Sequence, residues 1–358
     1  MFYRLEPRGE HSRIWSYGSP LLAIILTILT MMLIFALLGQ PPVKGIETFL
    51  IQPVASVSGL SALLVRAAPL IMIGVGLALC YRANVWNIGG DGQFTMGALA
   101  GGGLALALPN AAFWWCYPLV LGVGVLGGMA WAGLVAWLKL KFNANEILTS
   151  LMLVYTAHLI LVWLVSGPWR DPQGFGFPQS AMFGPGATTP TFGATSIHLG
   201  CILAPVLALL VWQVLARSVL GFQLRVVGQA PRAARYAGFS NAKLTWIALL
   251  VSGGLSGLAG IIEVTGPVGQ LTTSITPGYG FSAVIVAFLG RLHPVGIIFA
   301  GLLLALSYLG GASAQINLNM PNAITGIFQG VLLFYLLGAD VLILHRVRRV
   351  RSQGAEAV

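Results

Sequence analysis

Carboxylates are scarce in this chain, and two of them adjoin places where an apolar run is interrupted. Asp91 sits in the glycine-rich polar stretch Asn87-Ile88-Gly89-Gly90-Asp91-Gly92-Gln93, and Glu263 ends an apolar run just before Gly266, Pro267 and Gly269. Ionisable groups among apolar spans mark functional positions by default. Asn87, Asp91 and Gln93 are therefore candidates for shaping a polar path, either as lining groups or as hydrogen-bonding groups that hold an interruption. Glu146 and Asp340 lie near the ends of apolar runs, where snorkelling or interfacial solvation accounts for them. No chain of several carboxylates links these positions, which argues against proton-coupled movement.

Enzymatic constellations are missing from the sequence. None of the lysines is followed by Ser or Thr, so the G-x-x-x-x-G-K-[ST] phosphate loop is absent. The five histidines, His11, His158, His198, His293 and His345, show no H-E-x-x-H or other metal spacing. No G-x-S-x-G nucleophile elbow occurs. Cys80, Cys116 and Cys201 lie in or beside apolar runs and read as small packing residues. The expectation is a protein with no catalytic residues, no metal site and no cofactor of its own. His158, inside an apolar run, reads either as a hydrogen-bonded bundle residue or as part of a proton relay.

The elements that would position these groups are transmembrane helices. The 358 residues are 57% hydrophobic and 8% charged, against about 25% charged in soluble domains. A bilayer core takes roughly 20 apolar residues per crossing, and runs near 20–39, 60–80, 93–109, 113–138, 146–166, 197–216, 244–263, 279–290, 294–314 and 321–345 supply ten candidates. With the N-terminus inside, sixteen of the nineteen Lys and Arg residues fall on the cytoplasmic side, as the positive-inside rule requires. Only Lys44 and Arg170 fall outside, and only Arg66 lies within a span. An odd number of spans would move one basic end outside. The same rule accounts for the net charge of +10 without nucleic acid.

The chain thus reads as an all-α polytopic membrane protein of about ten transmembrane helices with short broken or re-entrant segments. Residues 1–19 form a cytoplasmic N-terminal segment, 20–345 the membrane domain and 346–358 a cytoplasmic tail. The run 279–290 would be only about 18 Å long as a helix, short of the roughly 30 Å core. It and the 87–93 stretch read either as paired interruptions of a transport path or as ordinary loops. The outer loop 167–196, rich in Pro, Gly and aromatic residues, suits a soluble partner or a cover packed on its own helices.

The largest basic loop, 217–243, carries Gln229-Ala230-Pro231-Arg232-Ala233-Ala234-Arg235-Tyr236-Ala237-Gly238. Pro231 suits a first helical position and Gly238 a helix stop. Arg232 and Arg235, three apart, share a face, while Ala233, Ala234 and Ala237 permit close approach. Such a helix fits a cleft in a cytoplasmic protein, or it lies on anionic lipid.

Four segments together resemble the permease subunits of bacterial ATP-binding-cassette (ABC) importers of the ribose, branched-chain amino acid and nucleoside type. They are Arg82-Ala83-Asn84-Val85-Trp86-Asn87-Ile88-Gly89-Gly90-Asp91-Gly92-Gln93; Asn145-Glu146-Ile147-Leu148-Thr149-Ser150-Leu151-Met152-Leu153; the loop from Leu224 to Gly238; and Gly278-Tyr279-Gly280-Phe281 with Ala287-Phe288-Leu289-Gly290-Arg291. Asp91 stands where many relatives have Glu. The resemblance implies a transport-path subunit in the bacterial cytoplasmic (inner) membrane with both termini inside. It implies a second permease, identical or paralogous, and an extracytoplasmic substrate-binding protein. It further implies separate ATP-binding subunits that hold ATP and Mg²⁺ and dock at Pro231, Arg232, Ala233, Ala234, Arg235, Tyr236 and Gly238. The N-terminal extension and the long outer loop look most like the nucleoside branch, with simple sugars as the alternative solute. An ion-coupled secondary transporter is the rival of a different class.

Overall fold

The computed structural model describes residues 2–7, 13–109, 114–192, 196–321 and 323–350. His11, Arg8 and the tail 351–358 with Arg351, placed inside by the charge argument, lie outside the described residues. Those described form two compact units, one of residues 1–53 with 307–358 and the other of residues 54–306.

In the first unit, β1 (Phe2–Pro7) pairs antiparallel with β2 (His345–Val350), with Phe2 opposite Val350 and Pro7 opposite His345. The expected 1–19 segment is therefore not a plain polar lead. It holds this strand and the start of α1 (Arg13–Leu37), which runs through Pro20. The paired ends lie on one side of any membrane the helices cross, as an even number of crossings requires. Helix α1 packs on α13 (Ile324–Leu344). Polar groups on these helices find each other: Ser19 donates to Asp340 (3.0 Å) and the Thr30 and Tyr335 hydroxyls share a hydrogen bond (2.8 Å). The short helix α2 (Pro42–Ile46) leads into a turn carrying Phe49, whose ring packs against Phe35 and Phe328.

The second unit comprises α3 (Val57–Arg82), α4 (Gly90–Ala107), α5 (Cys116–Phe142), α6 (Glu146–Ser166), α7 (Leu199–Arg217), α8 (Val219–Gln229), α9 (Pro231–Tyr236), α10 (Asn241–Glu263), α11 (Tyr279–Leu289) and the first half of α12 (Pro294–Leu318). Its centre is a three-helix contact of α4, α5 and α10 made by small residues. A Cβ on Gly128 would fall 2.2 Å from the Gly253 carbonyl oxygen, and one on Gly97 would fall 2.3 Å from the Gly257 Cα. With no hydrophobic drive between helices in lipid, such close approach supplies the van der Waals contact that holds them.

Among the described residues, eight helices are long and apolar enough to cross a membrane. The other two spans expected from the sequence are α4, whose first turn is diluted by Gly90, Asp91, Gly92 and Gln93, and α11, with 11 residues. Ahead of α11, residues 269–278 are not helical. The basic loop differs from expectation too: α8, capped by the Ser218 hydroxyl on Gly221 N–H (3.1 Å), precedes the short helix α9.

Candidate functional site

The interruption before α4 is held by buried side chains. Asn87 and Gln93, 0% and 1% exposed, exchange reciprocal amide hydrogen bonds at 3.2 and 3.1 Å. The Asn87 amide also donates to the Ser252 hydroxyl on α10 (3.1 Å), and its carbonyl oxygen accepts from Gly89 N–H (2.9 Å). The Tyr81 hydroxyl donates to the Asn87 carbonyl (3.0 Å), and Ile88 N–H donates to Ser150 on α6 (3.2 Å). Buried irregular backbone must find such partners, and here residues of α3, α4, α6 and α10 hold the segment.

Asp91 reaches the second interruption. Its Oδ1 accepts from the Gly280 N–H (2.8 Å) and from the Thr276 hydroxyl (2.8 Å). The Thr276 oxygen in turn accepts from the N–H groups of Gly278 (3.1 Å) and Tyr279 (3.2 Å). Together they satisfy the opening amides of α11, and the carboxylate stands where the helix dipole favours negative charge. The approach needs glycine, because a Cβ on Gly280 would lie 2.0 Å from the Asp91 backbone nitrogen. The two stretches singled out in the sequence thus meet in one hydrogen-bonded joint.

Glu263 belongs to a neighbouring cluster. The Tyr279 hydroxyl donates to Glu263 (3.4 Å) and accepts from the Arg66 guanidinium (3.1 Å), and Arg66 also acts electrostatically on Glu263. The sequence flagged Arg66 only as the lone basic residue in a span and Tyr279 only as a member of a glycine-rich stretch, and it did not single out Thr276. His158 is exposed on α6 rather than buried in a bundle. Glu146 pairs with Lys139 and accepts from Trp86 N–H (3.4 Å).

At the other end, α9 has Pro231 at its first position and stops at Gly238, whose φ of +79° suits glycine. Arg232, Ala233, Arg235 and Tyr236 are exposed, Tyr236 at 92%. Ala234 is buried instead, so it anchors α9 to its own protein rather than meeting a partner. Ahead of it, α8 buries Leu224 and Val227, and Gly228 sits so close to α3 that a Cβ would lie 2.0 Å from the Arg82 carbonyl oxygen. Arg82 is fixed in turn by a bond from its Nε to the Leu292 carbonyl (3.0 Å). In the same turn, burial and then the Arg82 charge hold His293 below the usual imidazole value. Close packing therefore runs from α8, which leads into α9, to the end of α3.

The outer loop is pinned along residues 265–271. Ser180 N–H donates to the Leu271 carbonyl (2.9 Å), Phe183 N–H to Gly269 (3.0 Å) and Thr189 N–H to Thr265 (2.9 Å). It covers its own helices while leaving Phe175, 98% exposed, at a tip closed by Arg170 on the Gly176 carbonyl (2.7 Å). Among the described residues, no cluster of three or more His, Cys, Asp or Glu side chains could hold a metal ion.

Comparison with known proteins bears directly on this arrangement of broken helices and an exposed basic helix. Residues 59–337 match the family described as the branched-chain amino acid transport system / permease component. This chain belongs to that family. The permease is 32% identical over 357 residues to a glucose ABC transporter permease of Haloferax volcanii, covering 96% of this chain and 93% of that one. It is 27% identical to a guanosine ABC transporter permease of Bacillus subtilis (88% and 92% covered) and 25% identical to a nucleoside ABC transporter permease of Lactococcus lactis (88% and 89% covered). The permease is thus a multi-pass membrane subunit of an ABC importer of the nucleoside and sugar type, and membership sets aside the ion-coupled rival.

Proposed function

We propose that this permease carries a nucleoside or a related small, neutral, polar solute inward by alternating access, driven by ATP hydrolysis in separate subunits that dock on α9. The observation that carries the coupling role is α9 itself, a short capped helix presenting Arg232, Arg235 and Tyr236 outward while α8 joins it to the end of α3. ATP and Mg²⁺ belong to the docked subunits, and this chain holds no cofactor. A second permease, identical or paralogous, completes the pathway, and an extracytoplasmic binding protein delivers solute. The positive-inside pattern supports a cytoplasmic position for α9 and both termini, with the permease in the cytoplasmic membrane.

Asn87, Asp91 and Gln93 shape the pathway by fixing its broken helices, since their side chains are buried in hydrogen bonds. Simple sugars are the second reading of the solute, favoured by the 32% identity to a glucose permease. The deciding experiment is uptake of labelled guanosine and labelled glucose by cells expressing the full complex, before and after ATP depletion with ion gradients held. Guanosine uptake that needs ATP and resists excess glucose supports the nucleoside reading, and the reverse pattern supports sugars. Uptake surviving ATP loss overturns the ATP-driven mechanism. Arg232→Glu with Arg235→Glu is expected to abolish uptake and weaken co-purification of the ATP-binding subunit. Normal transport by that double variant would sink the docking assignment.

A further inference from the structure

Arg66 occupies an unusual position for a charged residue. It lies within α3, the most enclosed of the eight candidate spans, yet its side chain is exposed. Counted from Val57, it is roughly 14 Å into this 26-residue helix, within the stretch that crosses the hydrocarbon. Its guanidinium is tethered rather than loose. The Tyr279 hydroxyl, on a fully buried side chain, accepts from Arg66 Nη1 at 3.1 Å and donates to the nearly buried Glu263.

The segment that tethers it is open along one face. Gly278, at the start of α11, has a φ of +88°, and a Cβ there would meet nothing within 4 Å. Pro277 is exposed, and so is Phe281, one helical turn on from Gly278. Non-helical backbone at membrane depth is tolerated only where protein buries it or where it lines water, and here part of it is uncovered. A guanidinium exposed to hydrocarbon is strongly unfavourable. Both features therefore call for water at this level. The Tyr279 hydroxyl links Arg66 to Glu263, so the guanidinium already has an acidic neighbour within its own chain.

Resting on the importer reading above, we propose that Arg66, with the open face of α11 at Pro277, Gly278 and Phe281, is a solute contact point within the translocation path. Guanidinium offers five N–H donors and no acceptor, so the contact recognises hydroxyl or carbonyl oxygens on a neutral solute. Phe281 offers a flat apolar surface to the solute ring. Tyr279 and Glu263 are positioning residues that keep the guanidinium in place.

The test uses the complete transporter in cells, in a Cys201→Ser background, because Cys80 and Cys116 are buried and Cys201 is only partly so. Arg66→Cys is treated from outside with a membrane-impermeant cationic methanethiosulfonate. Leu209→Cys, on the exposed face of α7, serves as the lipid-facing comparison. The Arg66→Cys thiol is expected to react, the Leu209→Cys thiol to stay inert, and whichever of guanosine or glucose the wild type transports to slow the reaction severalfold. Uptake by Arg66→Cys is expected to fall about tenfold or more, the effect of losing a charged hydrogen-bond donor. An aminoethyl reagent, which adds an ammonium donor, should restore part of it, whereas a methylating thiosulfonate should restore none.

An inert Arg66→Cys thiol, labelling that solute does not slow, or wild-type uptake by the variant each overturns the proposal. If Arg66→Cys does not assemble, Phe281→Cys is judged by the same labelling and protection criteria. A wild-type complex that transports neither probe counts against the importer's solute assignment, while the reactivity of the two thiols still rules on the water-lined path.

Discussion

Replacing Asp91 should separate its two contributions to the joint between α4 and α11. Asp91→Asn keeps an oxygen for the Gly280 N–H but removes the charge from the α11 N-terminus, an effect of about 1 kcal/mol. Asp91→Ala also removes the acceptor. It leaves the buried Gly280 N–H without its 2.8 Å partner and deprives Thr276 of the group that orients its hydroxyl. An orphaned buried donor costs about 1–3 kcal/mol, so the alanine variant should lose about 3 kcal/mol in all. At roughly 2–4 °C per kcal/mol for a unit of this size, that is roughly 6–12 °C for alanine and 2–4 °C for asparagine. The assay is thermal unfolding of the detergent-purified complex followed by tryptophan fluorescence, with uptake measured on the same variants. The expected order is wild type, asparagine, alanine. Equal stability of the two variants would refute the capping argument, because they differ chiefly in the acceptor.

Packing and pH make further predictions. Gly128→Val should sharply lower the yield of folded protein, since its Cβ would lie 2.2 Å from the Gly253 carbonyl oxygen and overpacking costs about 1–3 kcal/mol even where neighbours can shift; a normal yield on size-exclusion chromatography would contradict the close α5–α10 contact. Glu146→Gln breaks the partly exposed pair with Lys139 and should shift the midpoint by no more than about 4 °C, the effect of at most about 1 kcal/mol. His198 caps α7 through Nδ1, which accepts from Gly200 N–H (3.1 Å), and burial lowers its pKa below the usual imidazole value. The unfolded chain therefore takes up this proton first as pH falls, so the cap's stabilisation is complete above about pH 6.5 and declines below it. Melting curves between pH 7.5 and 5 (about the range of imidazole titration) should show a smaller acid loss for His198→Asn, which keeps a side-chain acceptor at the cap.

Much of this architecture was legible in the sequence, for physical reasons that differ by element. The long apolar runs had to be helices, because lipid offers no partner to an open backbone. Pro231 and Gly238 announced both ends of α9, since one lacks the N–H a first turn leaves idle and the other accepts a left-handed φ. The polar interruptions at 87–93 and before 279 were visible as composition, with Asn87 and Gln93 as candidates either to line a path or to hold a break. That Asp91 would cap α11 was not legible, since a contact spanning 189 residues leaves no local pattern. Ala234 was misjudged because spacing shows which residues share a face but not which face turns inward. Helix α8 escaped notice because Arg225 and Gln223 mask its three-residue rhythm of Gly221, Leu224 and Val227, the positions it buries.

The pairing of the chain's two ends bears on how it is made. Helix α1 finds its partner α13 only after about 290 intervening residues have left the ribosome, a wait of roughly 15–60 s at translation rates of about 5–20 residues per second. Throughout that interval Ser19 and Thr30 lack the Asp340 and Tyr335 groups that later hydrogen-bond them. Residues 54–306 carry their own close-packed centre, made by α4, α5 and α10. Biogenesis should therefore leave the first helix as a waiting client of the insertion machinery. A chain stalled or truncated before residue 324 would expose that helix to membrane quality control while its middle was already folded.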